Sequence, residues 1–218
     1  MTTMGQIGLR ERKKLKTRHA LIDAGLDLFL AQGYEHTTIE QIAAAVEVSP
    51  RTFFRYFAGK DDLALYHMAD LEIAVTEELE SRPAGESPGT ALINTFRAVT
   101  RNLTASGQAD KERYMKTRRL LDATPALLST AVGRAAGLES RLAGLVARRQ
   151  GAEGPPDRRA CLVVAFVTAA ARVGFECPGA HKDLAAHEDL AALVARVDET
   201  LTLAERSFRP GWDTLDGI

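Results

Sequence analysis

The chain has 218 residues, of which 45% are hydrophobic and 26% charged, a composition that excludes disorder as its main state. Its 28 basic residues nearly balance its 29 acidic ones, which excludes a uniformly basic protein, and its two cysteines cannot build a disulfide scaffold. Abundant alanine and only 8 prolines favour a mostly helical fold.

A first helix is predicted over residues 10–32, and its start is strongly basic. Residues 10–18 contain six basic residues and one acidic residue, which indicates contact with a polyanion. The alternative is a solvated, frayed helix end. Gly33 then supplies a C-terminal residue of positive φ. The apolar stripe of this helix comprises Leu15, Ile22, Leu26 and Phe29, with Leu28 beside it.

Two short helices joined by a tight turn are predicted over residues 38–56. The second helix of the chain starts at Thr37 or Thr38, because either residue forms a capping box with the Glu or Gln three positions later. The third runs over residues 50–56, with Ser49 as its N-cap and Pro50 in its first turn. This pattern predicts a helix-turn-helix, and an ordinary helical hairpin is the alternative.

The third helix has one apolar side and one polar side. Phe53 and Phe57 are four residues apart and are predicted to pack inward, which leaves Phe54 on another side. As a recognition helix it presents Ser49, Arg51 and Thr52 to base edges or nearby phosphates. Tyr56 and Lys60 are placed to bind phosphate. The full set of candidate DNA-binding residues is Thr38, Ser49, Pro50, Arg51, Thr52, Phe54, Arg55, Tyr56, Lys60, Arg10, Lys13 and Lys14.

Prolines and glycines divide the remainder into longer helices, so the predicted fold is all-α with about nine helices. These longer helices are predicted over residues 59–80, 88–105, 108–122, 125–150, 157–176 and 187–208. The predicted domains are a helix-turn-helix domain at 1–58, a helical bundle at 59–208 and a loose tail at 209–218.

The string TTIEQIAAAVEVSPRTFFRYFAGKDDL, preceded by LDLFLAQGYE, resembles the TetR family of repressors over residues 17–63. The resemblance implies a DNA-binding domain at 1–58, a helical effector-binding and dimerisation domain at 59–208, and a homodimer. It further implies binding to an inverted-repeat operator on double-stranded DNA and release by a small molecule. Separately, no membrane contact is expected, because the longest apolar run, at about residues 161–171, is too short to span a bilayer. Two residues depart from the family pattern: Glu47 stands where glycine is common, and Phe54 where tyrosine is common. A left-handed Glu47 would cost roughly 1 kcal/mol.

The string RRLLDATPALLSTAVGRAAGLESRLAGLVARRQG is similar to the subgroup of the mycofactocin-system regulator, over about residues 113–206. That resemblance implies an acyl-CoA-like effector. Candidate pocket residues lie on apolar faces of the central helices, where plain core packing is the alternative for each. They are Phe96, Val99, Tyr114, Met115, Arg118, Leu121, Phe166, Ala170 and Arg172.

The predicted helix at 157–176 is apolar almost all round, which predicts burial on every side and a role in a subunit interface. Arg172 interrupts this apolar run; as a buried arginine it would pair with Glu176 or contact a ligand. The final helix carries a second apolar stripe, and both helices could pair with their copies in a dimer. The alternative is that Val167 or Val197 lies in the core of the single chain. This stripe comprises Leu190, Leu193, Val194, Val197, Leu201 and Ala204.

Sequence motifs of enzymes are missing from the chain. The histidines at positions 19, 36, 67, 181 and 187 form no metal-binding spacing, and no GxSxG, P-loop or GxGxxG motif occurs. We therefore expect no catalysis, no cofactor and no metal.

Cys161 and Cys177 are expected to be buried free thiols in a reducing, cytoplasmic and nucleoid-associated protein. Two alternatives stay open. One is an activator or architectural DNA binder without an effector, and the other is a helical ligand-binding or enzyme-like protein whose helix-turn-helix does not bind DNA.

Overall fold

The computed structural model describes residues 8–105, 107–176 and 190–207, and the regular elements in these ranges are all α-helices. The all-α prediction is confirmed. Ten helices occur in the described residues: α1 Leu9–Gln32, α2 Ile39–Ala45, α3 Pro50–Phe53, α4 Lys60–Ala64, α5 Tyr66–Ser81, α6 Pro88–Ala105, α7 Gln108–Ala123, α8 Pro125–Arg149, α9 Arg158–Glu176 and α10 Leu190–Arg206.

Most helix ends fall within two residues of the predicted positions, because proline, glycine and N-cap residues mark them. The helix predicted over 59–80 is instead two helices, which raises the number from nine to ten. The break is at Leu65, where φ is −102° and ψ is 21°. The run 63–66 is buried throughout, and a straight helix cannot bury four consecutive residues on one face. The predicted tail at 209–218 lies outside the described residues, as does His187.

The chain folds into two compact units. The first comprises the described residues of 1–68 together with 112–132, and the second comprises those of 69–111 and 133–218. The divisions fall within α5, α7 and α8, so each of these helices contributes residues to both units.

In the first unit, α1, α2, α3 and α4 surround a core that includes Ile22, Leu26, Phe29 and Phe53. Gly25 permits the close approach of α1 and α4, since a Cβ there would lie 2.5 Å from Cδ2 of Leu63. Leu15, predicted to belong to the buried stripe of α1, is exposed, because it lies in the two solvated N-terminal turns of that helix.

The α7 segment of this unit is held to α1 by two ion pairs. The guanidinium of Arg113 donates from Nε to Oδ1 of Asp23 at 2.7 Å and from Nη2 to Oδ2 at 2.9 Å. Lys116 donates from Nζ to Oδ1 of Asp27 at 2.5 Å. The two pairs lie about one helical turn apart on both helices.

In the second unit, α6, α9 and α10 pack together with parts of α5 and α8. Gly174 brings α9 against α10, since a Cβ there would lie 2.7 Å from the Cα of Val197. The stripe of α10 that was predicted to face a partner subunit lies within this core instead, because Leu190, Leu193, Val197, Leu201 and Ala204 are all buried. Val194, the sixth member of the stripe, is half-buried.

Helix α9 has two distinct apolar faces. One includes Val164, Val167 and Ala171 and lies in the core of the second unit. The opposite face is exposed within the single chain, so the prediction of burial on every side is wrong for one chain. Leu162 on this face is 69% exposed, Phe166 36% and Val173 40%.

Two polar positions of α9 also differ from expectation. Arg172 is exposed, because it lies on the flank between the two apolar faces. An exposed arginine needs no partner to offset the cost of burying its charge. Cys161 is a free thiol and is exposed rather than buried, because it lies on the same flank of the helix as Arg172. The side chain of Glu176 and all of Cys177 lie outside the described residues.

Candidate DNA-binding surface

The start of α2 is fixed by a reciprocal cap. The backbone N–H of Gln41 donates to Oγ1 of Thr38 at 3.2 Å, and the backbone N–H of Thr38 donates to Oε1 of Gln41 at 2.9 Å. Of the two predicted capping boxes, this is the one that forms. Thr38 is exposed, and its hydroxyl proton remains available to an acceptor outside the chain.

The turn between α2 and α3 is tight and contains a left-handed residue. Glu47 has φ of 55°, the sole positive φ among the described non-glycine residues. The backbone N–H of Val48 donates to the carbonyl of Ala43 at 3.0 Å and closes the turn. The departure from glycine at this position therefore places a strained residue in the helix-turn-helix.

Ser49 caps the start of α3, as predicted. Its Oγ accepts the backbone N–H of Thr52 at 3.2 Å and lies 3.0 Å from the hydroxyl of Thr52. Pro50 occupies the first turn. The helix ends at Phe53 rather than Tyr56, and a tighter turn follows, in which the N–H of Tyr56 donates to the carbonyl of Phe53 at 2.8 Å.

Phe53 and Phe57 anchor α3 to the core of the first unit, and both are buried as predicted. The side chains that face solvent form what we name the recognition surface: Ser49, Pro50, Arg51, Phe54 and Arg55. Phe54 is 56% exposed, although phenylalanine side chains are usually buried and that of the adjacent Phe53 is fully buried. Thr52 and Tyr56 are half-buried at the edge of this surface.

Two cationic side chains near the surface have aromatic neighbours. The guanidinium of Arg55 lies 5.1 Å from the ring centre of Tyr56 and donates to its hydroxyl at 3.3 Å. Nζ of Lys60 donates to the carbonyl of Tyr34 at 2.9 Å and lies 4.7 Å from its ring centre. Burial raises the pKa of Tyr34 to about 12, with further contributions from Asp61 and Glu35, so its ring stays neutral.

The basic segment of α1 lies in solvent. Arg10, Lys13 and Lys14 are all exposed, and the one ion pair in this group is a 4.0 Å contact between Lys14 and Glu11. A contact of that length between exposed groups contributes little stability. These cations therefore carry their charge outward, where an anionic partner can approach them.

Sequence reasoning missed two sets of supporting contacts. The amide of Gln32 donates to Oε1 of Gln41 at 3.0 Å and to Oγ1 of Thr37 at 3.2 Å, which ties the end of α1 to the start of α2. The guanidinium of Arg18 lies 5.8 Å from the ring of Phe57 and 5.7 Å from that of Tyr66. The Gln32 contacts cross the turn between two helices and match no capping pattern, and the Arg18 contacts join residues distant along the chain.

The nine candidate effector residues divide between the two units. Tyr114, Met115, Arg118 and Leu121 lie on α7 in the first unit, and all four are half-buried or buried. Phe96 and Val99 on α6 belong to the core of the second unit. Ala170 is half-buried, and Phe166 and Arg172 are exposed.

Comparison with known proteins identifies the family. Residues 21–66 match the family described as bacterial regulatory proteins, tetR family, and residues 90–205 match the MftR C-terminal domain. The regulator TcmR of Streptomyces glaucescens is 47% identical over 169 residues, which cover 76% of this chain and 74% of TcmR. The chain belongs to the TetR family of transcriptional regulators. The resemblance seen in the sequence is thereby confirmed in both halves.

Two further proteins resemble this TetR-family chain. MftR of Mycobacterium tuberculosis is 28% identical over 144 residues, covering 64% of this chain and 69% of MftR. The structure titled SmeT–triclosan complex covers 91% of this chain and 95% of its own with a TM-score of 0.57 and 17% identity, which shows a shared fold. The families and named relatives are transcriptional regulators, not enzymes.

Within the described residues of the TetR-family chain, no helix is long and apolar enough to cross a membrane.

Proposed function

We propose that the protein is a ligand-responsive repressor that binds an inverted-repeat operator as a dimer and is released by a small molecule. In this proposal residues 1–58 bind DNA, residues 59–208 bind the effector and dimerise, and the protein works on the nucleoid in the cytoplasm. The observation that carries the proposal is the recognition surface. Its exposed Arg51 lies on a helix that Ser49 caps and two phenylalanines anchor, and the exposed Arg55 lies in the turn that follows this helix.

The proposal assigns different tasks to different side chains of this surface. Arg51 reads base edges, because an arginine can bind guanine O6 and N7 with two hydrogen bonds. Thr38, Tyr56 and Lys60 bind phosphates and set the position of the protein on DNA. Phe54 cannot bind phosphate through a hydrogen bond, so it makes apolar contact with a thymine methyl group or a sugar. Ser49 and Thr52 reach base edges or nearby phosphates beside Arg51, and Pro50 supports these contacts from the first turn of α3.

Footprinting of the purified protein across a genome would supply the operator, and variants then test the assignment. Arg51→Ala should reduce discrimination between operator and random DNA by roughly 1–3 kcal/mol. Tyr56→Phe should weaken binding to both DNAs with little change in their ratio. Arg148→Ala, which removes an exposed arginine far along the chain, is the control for net charge. An unchanged specificity ratio for Arg51→Ala would reassign Arg51 to phosphate.

The basic segment of α1 is proposed to contact phosphate without reading sequence. Neutral variants at Arg10, Lys13 and Lys14 should weaken binding to all DNA sequences alike. Removal of one cation that neutralises a phosphate should reduce the slope of log affinity against log salt by about 0.9. An unchanged slope would show that the segment is only solvated.

The proposed dimer uses the exposed apolar face of α9. Leu162, Phe166 and Val173 lie on one side of that helix, at intervals of four and seven residues. A dimer doubles the number of base pairs that are read, which a single short recognition helix needs in order to define a site in a genome.

The proposed effector is acyl-CoA-like, and the match of residues 90–205 to the MftR C-terminal domain supports this choice. To move the protein from 1% to 99% released, the effector must favour the released state by about 5.5 kcal/mol. Lauroyl-CoA is a suitable probe, and its release of labelled operator is the measurement. An operator complex that no acyl-CoA dissociates would favour a regulator with another effector or with none.

A further inference from the structure

His67, at the start of α5 in the first unit, has an unusual environment. Its Nδ1 is fully buried and has no hydrogen-bond partner. Its ring meets the rings of Tyr66 and Tyr114 edge to face, with centres 5.7 and 5.2 Å apart. Buried polar atoms in folded proteins are almost always hydrogen-bonded, because an open one costs free energy. A ligand group that formed a hydrogen bond with this nitrogen would therefore bind favourably.

The imidazole of His67 is uncharged at neutral pH. Burial lowers its pKa to about 4, so protonation cannot satisfy the open nitrogen under ordinary conditions. In a neutral imidazole, Nδ1 either accepts or donates one hydrogen bond, according to the tautomer. The missing partner is therefore a single hydrogen-bonding group.

The face of α7 next to His67 combines apolar and cationic groups. Tyr114, Arg118 and Leu121 are spaced by four and three residues, so they lie on one side of the helix, and all are half-buried. Arg118 makes no ion pair or hydrogen bond to any residue that the structure describes. This face thus offers an aromatic ring, an aliphatic side chain and an available guanidinium.

We propose that His67, Tyr114 and Arg118 form the polar part of the effector site, and that the effector is an amphipathic organic anion. His67 forms a hydrogen bond with it, Tyr114 packs against its apolar body, and Arg118 pairs with its negative group. The inference rests on the proposed function and adds His67 to the effector residues. It also places recognition of the effector in the first unit.

The position of this site gives the ligand a direct route to α1. The same α7 segment holds α1 through Arg113–Asp23 and Lys116–Asp27. A ligand that displaces α7 against His67 therefore also moves the attachment points of α1.

The test uses the full chain and the fluorescent aromatic anion 8-anilino-1-naphthalenesulfonate as the probe. Saturable binding is expected in the wild type. Arg118→Gln should raise the Kd by about tenfold or more and His67→Phe by about fivefold, as expected for a charged and a neutral hydrogen bond. Arg119→Gln removes the neighbouring exposed arginine and is the matched control, for which we expect an unchanged Kd.

A second readout follows the histidine itself. In protein labelled with ¹⁵N-histidine, the Nδ1 signal that His67→Phe removes should shift on addition of the probe. Absence of saturable binding, or equal Kd values for wild type and both site variants, would overturn the proposal. If His67→Phe does not fold, Arg118→Gln alone decides. Operator binding is measured on the same proteins before the probe is added. Its absence in the wild type would count against the proposed function and not against this site.

Discussion

Glu47 carries backbone strain at the centre of the helix-turn-helix. With φ of 55°, its Cβ crowds the following carbonyl, and glycine would avoid that contact. Glu47→Gly should therefore raise the free energy of unfolding by about 1 kcal/mol, measured by thermal or urea denaturation. Glu47→Ala keeps the Cβ while removing the charge, so it should leave stability nearly unchanged. Equal stability of the two variants would show that the turn is not strained.

His67 should make the stability of the protein depend on pH. In the unfolded chain a histidine binds a proton below its ordinary pKa of about 6.5, whereas folded His67 does so only near pH 4. Protonation therefore favours the unfolded state, and stability falls as pH drops from 6.5 towards 4. Tyr66 and Tyr114 are the titratable groups in ring contact with it.

Urea denaturation at pH 7 and pH 5 measures this effect. The wild type should lose about 2 kcal/mol more than His67→Phe between the two pH values. The remaining histidines are common to both proteins, so their contribution cancels in the comparison. An identical loss in the two proteins would mean that His67 is solvated in solution.

At the scale of single residues, local rules predicted the caps and the inward phenylalanines of α3. The caps at Thr38 and Ser49 depend only on neighbours within three residues, which the sequence displays. The orphan nitrogen of His67 could not be predicted, because it depends on α7, which lies far along the chain. For the same reason the sequence predicted only a phosphate contact for Lys60. Its hydrogen bond to the carbonyl of Tyr34 joins residues that are far apart along the chain.

Among the elements, the link between α7 and α1 depends on a buried cation. The side chain of Arg113 is 11% exposed and makes two hydrogen bonds to Asp23, whereas that of Lys116 is 32% exposed and makes one to Asp27. Arg113→Leu should therefore lower stability by about 1–2 kcal/mol, since Asp23 is itself 44% exposed and can be rehydrated. Lys116→Leu should cost less than about 1 kcal/mol.

A double-mutant cycle of Arg113→Leu with Asp23→Asn, followed by urea denaturation, separates the pair energy from packing. A coupling energy close to zero would show that Arg113 stabilises the unit through contacts other than the one with Asp23. The corresponding cycle for Lys116 and Asp27 serves as the internal comparison.

Helix boundaries were predictable where a residue type enforces them. Proline opens α6 and α8, and Arg82-Pro83 ends α5, all at the predicted positions. The break at Leu65 is not marked by such a residue. It follows from burial of the run 63–66, and a helix that is buried on two sides shows no periodic apolar pattern in its sequence.

On the scale of the whole molecule, the apolar pattern of α9 predicted burial but not what buries each face. The sequence cannot distinguish a face that meets its own core from one that meets a second chain, since both are apolar. The structure separates them: Val167 lies in the core of the second unit, and Leu162 lies on the open face. For α10 the sequence left the same two possibilities open, and the structure places its stripe in the core of the second unit.

This separation yields a matched pair of variants for the proposed dimer. Leu162→Glu places a charge on the exposed face of α9, so the folded chain tolerates it, but a dimer that buries this face would carry an unpaired charge at a cost of several kcal/mol. Leu162→Glu should therefore sediment as a monomer, keep the helix content of the wild type and lose operator binding. Val197→Glu, at a position that is 0% exposed, should instead lose helix content, because the charge enters the core of the second unit.

Analytical ultracentrifugation and circular dichroism distinguish the two results. A wild type that sediments as a monomer at micromolar concentration and still binds the operator tightly would refute both the α9 interface and the dimeric mechanism.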